Sequence, residues 1–298
     1  MKEKIQNLKN KGGFLGWLFN LPYIAYSVIF FLIPLVWAFW LSMTDWNLMS
    51  KNKNFVGFDN FTALFSDPRV KAAFINSFKY LIPIVIFTFV AAMIIALLVH
   101  KLPEKIKGIT AVLFFIPYLT SGVAISVVVR YFFSFNSALN VSLRDKGINI
   151  DWFRDPKWAF IIIVGIVVWK MSGYYALFIL SALESIPDDV HDACKIDGAT
   201  GFKKFKSVTL PMVIPTLTTV IVLAAGLAFG IFTEPYLLTG GGPNLATTTW
   251  QLEIYNTSFT NFQSGYGAAI AIASAVHVFV TIKIITFIME KFNKKYGQ

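Results

Sequence analysis

The residues whose types and spacing could do chemistry are few in this 298-residue sequence, and the densest group is a charged stretch between two long apolar ones. It runs Ile186-Pro187-Asp188-Asp189-Val190-His191-Asp192-Ala193-Cys194-Lys195-Ile196-Asp197-Gly198-Ala199-Thr200-Gly201-Phe202, then on to Thr209-Leu210-Pro211. Acids come first, and Lys203, Lys204 and Lys206 follow. Pro187 suits the first turn of a helix, where its missing N–H is not needed. Asp188 and Asp189 would meet the positive end of the helix dipole. Gly198 and Gly201 permit a turn that a side chain would hinder. The stretch therefore predicts two short helical pieces with a bend between them.

The other candidates are sparser. Gly240-Gly241-Gly242 has the look of a phosphate loop, but no Gly-Lys-Ser/Thr follows, and no ATP-binding motif occurs elsewhere. A single cysteine, Cys194, excludes an internal disulfide and a cysteine zinc cluster, and the three histidines are not paired at ligand spacing. No nucleophile lies beside a base and no carboxylate pair stands at a plausible site. We expect no catalytic residue, no metal and no cofactor. Lys170 is different in kind. It lies near the middle of an apolar run, beside Trp169, where a charge is expensive and faces a cavity, water or a partner.

The elements that must hold these residues are membrane helices. The chain is 56% hydrophobic and 14% charged, with mean hydropathy +0.64, whereas soluble domains carry about 25% charged residues. Six stretches reach the roughly 20 apolar residues that a bilayer requires. They run from about Trp17 to Met43, Asn76 to His100, Gly108 to Phe133, Trp158 to Leu183, Pro211 to Phe232 and Gly267 to Met289. Met1–Lys11 is polar and basic, and the long, bulky apolar run after it shows no cleavage-like pattern, so it reads as a retained helix. The predicted fold class is an all-α membrane protein with six transmembrane helices. We divide it into 1–72 (N-terminal tail, first helix and first outer loop), 73–290 (the transmembrane domain, with the polar loop at about 186–210) and a tail, 291–298.

The net charge of +10 would suggest nucleic acid in a soluble protein, but here the positive-inside rule accounts for it. With both termini cytoplasmic, 14 of the 26 Lys and Arg residues fall inside and 8 outside, and Thr233 to Tyr266 has none. Lys79, Arg130 and Lys283 lie near span ends and can snorkel to the interface. Pro117, in Phe115-Ile116-Pro117-Tyr118, predicts a kink in the third span. Gly226 and Gly230, at small-xxx-small spacing, permit a close helix contact in the fifth.

The polar stretch resembles the EAA loop of the membrane subunits of binding-protein-dependent ABC importers. That pattern is Glu-Ala-Ala, two residues, Asp-Gly-Ala, and a later Leu-Pro. Here it reads Asp192-Ala193-Cys194, Lys195-Ile196, Asp197-Gly198-Ala199, then Leu210-Pro211, departing by Asp for Glu at 192 and Cys for Ala at 194. Leu238-Thr239-Gly240-Gly241-Gly242-Pro243, with Tyr255, Phe259 and Tyr266 after it, resembles the turn of the sugar-type permeases of that family. Asp45-Trp46 and Phe55-Val56-Gly57-Phe58-Asp59-Asn60-Phe61, ending at Asp67-Pro68, resemble their first outer loop.

The resemblance implies a permease subunit of the carbohydrate-uptake branch in the cell membrane, importing an oligosaccharide, or glycerol phosphate as the exception. It implies a second homologous permease, an ATPase subunit dimer below, a substrate-binding protein outside, lipid around it and no nucleic acid. The loop becomes a cytoplasmic coupling helix between helices 4 and 5, set in an ATPase groove. Its residues would be Asp192, Ala193, Cys194, Ile196, Asp197, Gly198 and Ala199, with Ala193, Ile196 and Gly198 as packing and bend positions and Asp192 as the charged contact. For the substrate path we single out Tyr131, Lys170, Tyr174, Glu234 and Ser274. The outer stretch from Ser134 to Lys157 is expected to meet partners. A self-sufficient secondary transporter would favour internal repeats, and a membrane-embedded enzyme would show clustered His, Asp or Ser. Neither feature is evident.

Overall fold

In the computed structural model the described residues are 17–296, so the polar stretch Met1–Lys11 lies outside them. Among the described residues the chain is helical, with one isolated antiparallel bridge, Thr44 to Phe55, in the first outer loop. Helix α1 is Trp17–Leu41 and contains a π turn at Val28–Leu32. α2 (Asp59–Leu64) is short, and α3 (Pro68–His100) is long. Two pieces follow, α4 (Glu104–Leu119) and α5 (Gly122–Phe132), bent against one another by 83°. After α6 (Ala138–Asp145) comes α7 (Pro156–Glu184), and then the polar helix α8 (Asp188–Ile196). Gly201–Lys204, a π turn at Phe205–Thr209 and Leu210–Phe229 run on as one helix, α9. Short helices α10 (Thr233–Leu238) and α11 (Trp250–Tyr255) precede the last helix, α12 (Ser264–Tyr296).

Five helices are long and apolar enough to cross a membrane, and the α4–α5 pair makes a sixth, broken span. The third span is therefore not one kinked helix. Pro117 stays inside α4, and the break falls past it, where Thr120 and Ser121 are extended and the helical ladder stops. Several helices also outrun their apolar stretches. Asp67 caps α3 by accepting from the Arg69 N–H at 2.8 Å, so that span starts at Pro68 and Lys79 lies about three turns inside it. Lys79 donates to Asn76 Oδ1, also on α3, at 3.3 Å. α12 likewise carries on past Met289 to Tyr296.

The core forms where α3, α7 and α9 meet. One cluster joins Tyr80, Ile84, Ile163, Val167, Phe229 and Leu238, and a second joins Ala96, Tyr175, Ile179, Leu183, Val213 and Val220. Ala92 and Ala96, one turn apart on α3, are fully buried and let α7 approach. On α3's other side Ile82, Ile86, Val90, Ile94 and Leu98 form an exposed stripe at i, i+4 spacing, as a helix in lipid requires. α1 buries none of its apolar window and lies along α12. The close helix crossing is at Gly173 on α7, where an added Cβ would enter the carbonyl of Phe114 on α4. The expectation for Gly226 and Gly230 does not hold within this chain. A Cβ at Gly226 meets open space, and one at Gly230 meets only its own helix.

In the stretch Thr233 to Tyr266, Glu234, Thr247, Thr248, Thr249, Trp250, Glu253 and Thr257 are all buried. Such irregular backbone must satisfy its polar groups inside the protein. Asn76 Nδ2 donates to the carbonyls of Leu245 and Thr248 at 2.8 and 3.0 Å. Thr247 Oγ1 donates to Gly242 O at 2.7 Å, and Thr249 Oγ1 to Ile231 O at 3.0 Å. Gly241 is at φ +89°, and a side chain there would strike Thr248 Oγ1, so the triple glycine and triple threonine fit one another. The absence of Lys and Arg in this stretch follows from its burial as well as from any membrane side.

Candidate functional site

Helix α8 is built as its sequence suggests, with one shift. Pro187 sits just before the helix, with extended backbone, and Asp188 and Asp189 fill the first turn. At the far end Gly198 takes φ +65°, and the Ala199 N–H reaches back to Cys194 O at 2.8 Å. That left-handed closure is a common helix stop. Gly201, at φ +54°, starts the next piece.

Burial then reassigns the roles. Cys194 is the one buried residue of α8 and, with Ile186 before it, ties the helix to the bundle. Asp192, Ala193, Ile196, Asp197 and Gly198 are exposed, and Ala199 is half-buried. Ile196 is 86% exposed and Phe202 77%, an unusual display of apolar surface beside so many charges. Asp192 Oδ1 accepts from Lys195 Nζ at 2.8 Å. This hydrogen bond, with the lysine's charge, holds the Asp192 carboxyl below its ordinary range.

The root of α8 is fixed by residues that sequence reasoning did not single out. Glu184 ends α7, and its Oε1 lies 2.7 Å from His100 Nδ1 of α3 and 3.0 Å from Lys107 Nζ of α4. Lys107 is also paired with Glu104. Three spanning helices thus converge on one carboxylate, three residues before α8 begins. The contacts join residues up to 84 apart in sequence, which no local pattern signals.

Of the five path candidates, the structure brings two together. Lys170, in the middle of α7, donates from Nζ to Glu234 Oε1 of α10 at 3.3 Å, and both residues are buried. They line a cavity of about 210 Å³ with Val167, Met171, Phe232 and Thr233. Tyr174, one turn along α7, stacks on Tyr118 of α4 with ring centroids 4.3 Å apart. Tyr131 is 79% exposed and Ser274 is buried in α12, and neither lines that cavity. Arg130, exposed near the end of α5, donates from Nη1 to Leu237 O of α10 at 3.0 Å.

A second set, unforeseen from sequence, gathers at the start of α3. Arg69 Nη1 lies 3.4 Å from Glu253 Oε1, and Tyr266 donates to Asp67 Oδ2 at 3.1 Å. Burial pulls the Asp67 carboxyl upward, but hydrogen bonds from Arg69 and its charge outweigh that and set it below the ordinary range. Asp67, Arg69 and Tyr266 edge an open groove of about 770 Å³ with Asp45, Trp46, Asn47, Asn60 and Gln263.

Residues 13–297 match the family model described as binding-protein-dependent transport system inner membrane component. The chain belongs to this family. It is 30% identical to the multiple sugar-binding transport system permease protein MsmF of Streptococcus mutans, over 98% of this chain and 99% of that one. It is also 30% identical to the lactose transport system permease protein LacF of Rhizobium radiobacter, over 90% of each. Identity is again 30% with the sn-glycerol-3-phosphate transport system permease protein UgpA of Agrobacterium fabrum, over 94% and 95%. A chain of a bacterial alginate ABC transporter, solved with an alginate pentasaccharide-bound periplasmic protein, shares the fold at TM-score 0.82. It is 22% identical and covers 95% of this chain and 96% of its own. This is a multi-pass membrane protein, and its relatives include sugar-transport permeases of that family.

Proposed function

We propose that this permease moves an oligosaccharide into the cell, driven by ATP that a separate subunit hydrolyses. The observation that carries the reading is α8. It offers Ile196, Asp192 and Ala193 to a partner while Cys194 and the Glu184 anchor hold it to the bundle. A movement imposed on so short and rigid a helix passes to α3, α4 and α7. The excess of lysine near α8 places it, with both termini, in the cytoplasm by the positive-inside rule. A second permease completes the path, an ATPase dimer receives α8, and a substrate-binding protein delivers sugar from outside. The path residues are Lys170, Tyr174 and Glu234, with Tyr131 and Ser274 away from the cavity. A neutral sugar suits the cavity better than glycerol phosphate, because Glu234 already neutralises Lys170 and no other cation lines it.

Cross-linking tests this. Ile196→Cys in a Cys194→Ala background would be cross-linked in native membranes and its partner identified by mass spectrometry. Capture of an ATPase, with a yield that changes on adding ATP, is the expected result. If no ATPase is captured while the chain alone moves solute into vesicles, the reading gives way to a self-sufficient transporter.

A further inference from the structure

We propose that Lys170 and Glu234 are positioning residues: their ion pair latches α5 and α10, moving as one body, onto α7, and it opens when the outer end of the path opens. This rests on the importer reading above.

Four observations lead here. First, α5 and α10 form a unit. They pack on one another, and Arg130 on α5 donates to Leu237 O on α10. Second, the unit is bounded by non-helical chain. Thr120 and Ser121 are extended on one side, and Gly240 and Gly241 take positive φ on the other. Helices joined through such residues can reorient without breaking their own ladders. Third, the charged tie from this unit to α7 is made at the junction itself. A Cβ on Gly122, the first residue of α5, would lie 3.1 Å from Lys170 Nζ and 3.5 Å from Glu234 Oε1. Glycine there lets the start of α5 close over the pair. Fourth, the 210 Å³ cavity beside the pair gives both groups somewhere to meet water when they part.

Energetics separate a latch from a structural brace. A buried ion pair is a poor way to gain stability, since apolar residues of similar size commonly do as well or better. A charged pair is useful where one arrangement must be specified and then released. Opening exchanges one partner for water, which an apolar contact cannot do.

The test uses the whole complex, with its ATPase and binding protein, in proteoliposomes. The variants are Lys170→Met with Glu234→Met, and the exchange Lys170→Glu with Glu234→Lys. ATP hydrolysis is measured with and without sugar-loaded binding protein. The double methionine variant is expected to assemble and to hydrolyse ATP without binding protein at least about fivefold faster than wild type, the lower end of ordinary coupling between two states. The exchange should restore dependence. The proposal is overturned if the double variant keeps wild-type basal hydrolysis and coupled uptake. It is overturned equally if basal hydrolysis is unchanged and only the sugar concentration for half-maximal uptake rises, since the pair would then be a ligand group. If neither variant assembles, the pair is a structural brace and no latch. If wild type itself shows no hydrolysis stimulated by sugar-loaded binding protein, the importer reading fails, a distinct outcome.

Discussion

Gly173→Ala tests the packing of this bundle most sharply. Its Cβ would sit 2.5 Å from the Phe114 carbonyl carbon and closer still to the oxygen, where ordinary contacts begin at 3.4 Å. Both obstacles are backbone, so no rotamer change relieves them. α4 and α7 must separate by about 1 Å or more, the difference between those distances. Overpacking of this kind costs about 1–3 kcal/mol. The same displacement strains the Tyr118–Tyr174 stack, one turn along from the clash, and such pairs are worth about 0.5–1.5 kcal/mol. A total near 3 kcal/mol corresponds to a fall in Tm of about 6 °C in a chain of this size. Thermal unfolding of purified protein, followed by loss of monodisperse material on size-exclusion chromatography, measures it. Gly165→Ala is the control. It lies on the same helix with nothing within 4 Å, and alanine's better helix propensity should leave its Tm unchanged or raised by 1–2 °C, about 0.5–1 kcal/mol. If the two variants unfold within about 1 °C of each other, the crossing at Gly173 is not as close as described and the reasoning fails.

Three further outcomes follow from the same geometry. Gly265→Ala places a Cβ against the Thr44 carbonyl, where Gly265 N–H also donates to Trp46 O at 2.9 Å; proteolysis between Asp45 and Phe58 should accelerate at least about tenfold, the effect of about 1.4 kcal/mol of local opening. Ile196→Asp should leave Tm within about 2 °C, as surface changes do, yet abolish sugar uptake by the reconstituted complex; retained uptake would remove Ile196 from the docking face. Asp67 has a folded pKa below 3.8, so its charged form contributes stability above that value and loses it as pH falls through the lower folded one. The Tm gap between wild type and Asp67→Asn should accordingly be constant from neutral pH down to about 5 and shrink towards pH 3, whereas a gap independent of acid would contradict the Arg69 pairing.

What could be read from sequence divides along physical lines. The apolar runs and the punctuation of α8 are local signals, and they hold to within a few residues at most boundaries. Lys170 could be singled out because a charge in an apolar run is conspicuous by itself. Its partner could be suspected and not assigned: Glu234 is 64 residues away. The lack of cations around it bears on membrane sidedness and does not signal burial, because both deplete Lys and Arg. Arg69 looked like one more loop cation until Glu253 was found beside it. Gly226 and Gly173 make the same point from opposite sides. Spacing favoured the first, yet space is scarce at the second, because the neighbour across a helix is set by tertiary approach and not by sequence period.

α7 connects these features into one mechanical element. Its C-terminal end holds Glu184, clasped by His100 and Lys107, and its middle holds Lys170, paired with Glu234. Fourteen residues separate Lys170 from Glu184 along α7, about 21 Å at a rise of 1.5 Å per residue. Between them lies Gly173, where α4 presses so close that the two helices cannot slide independently. α7 has no proline after its first residue and no break in its ladder, so a tilt at one end arrives at the other. α4, by contrast, ends at the 83° bend beside the latch. A push on α8 would therefore move the rigid pair α4–α7 as a unit, and the strain would collect at Thr120, Ser121 and the Lys170–Glu234 contact. The bend is then the place where a displacement of α8 would become a change in angle between α4 and α5.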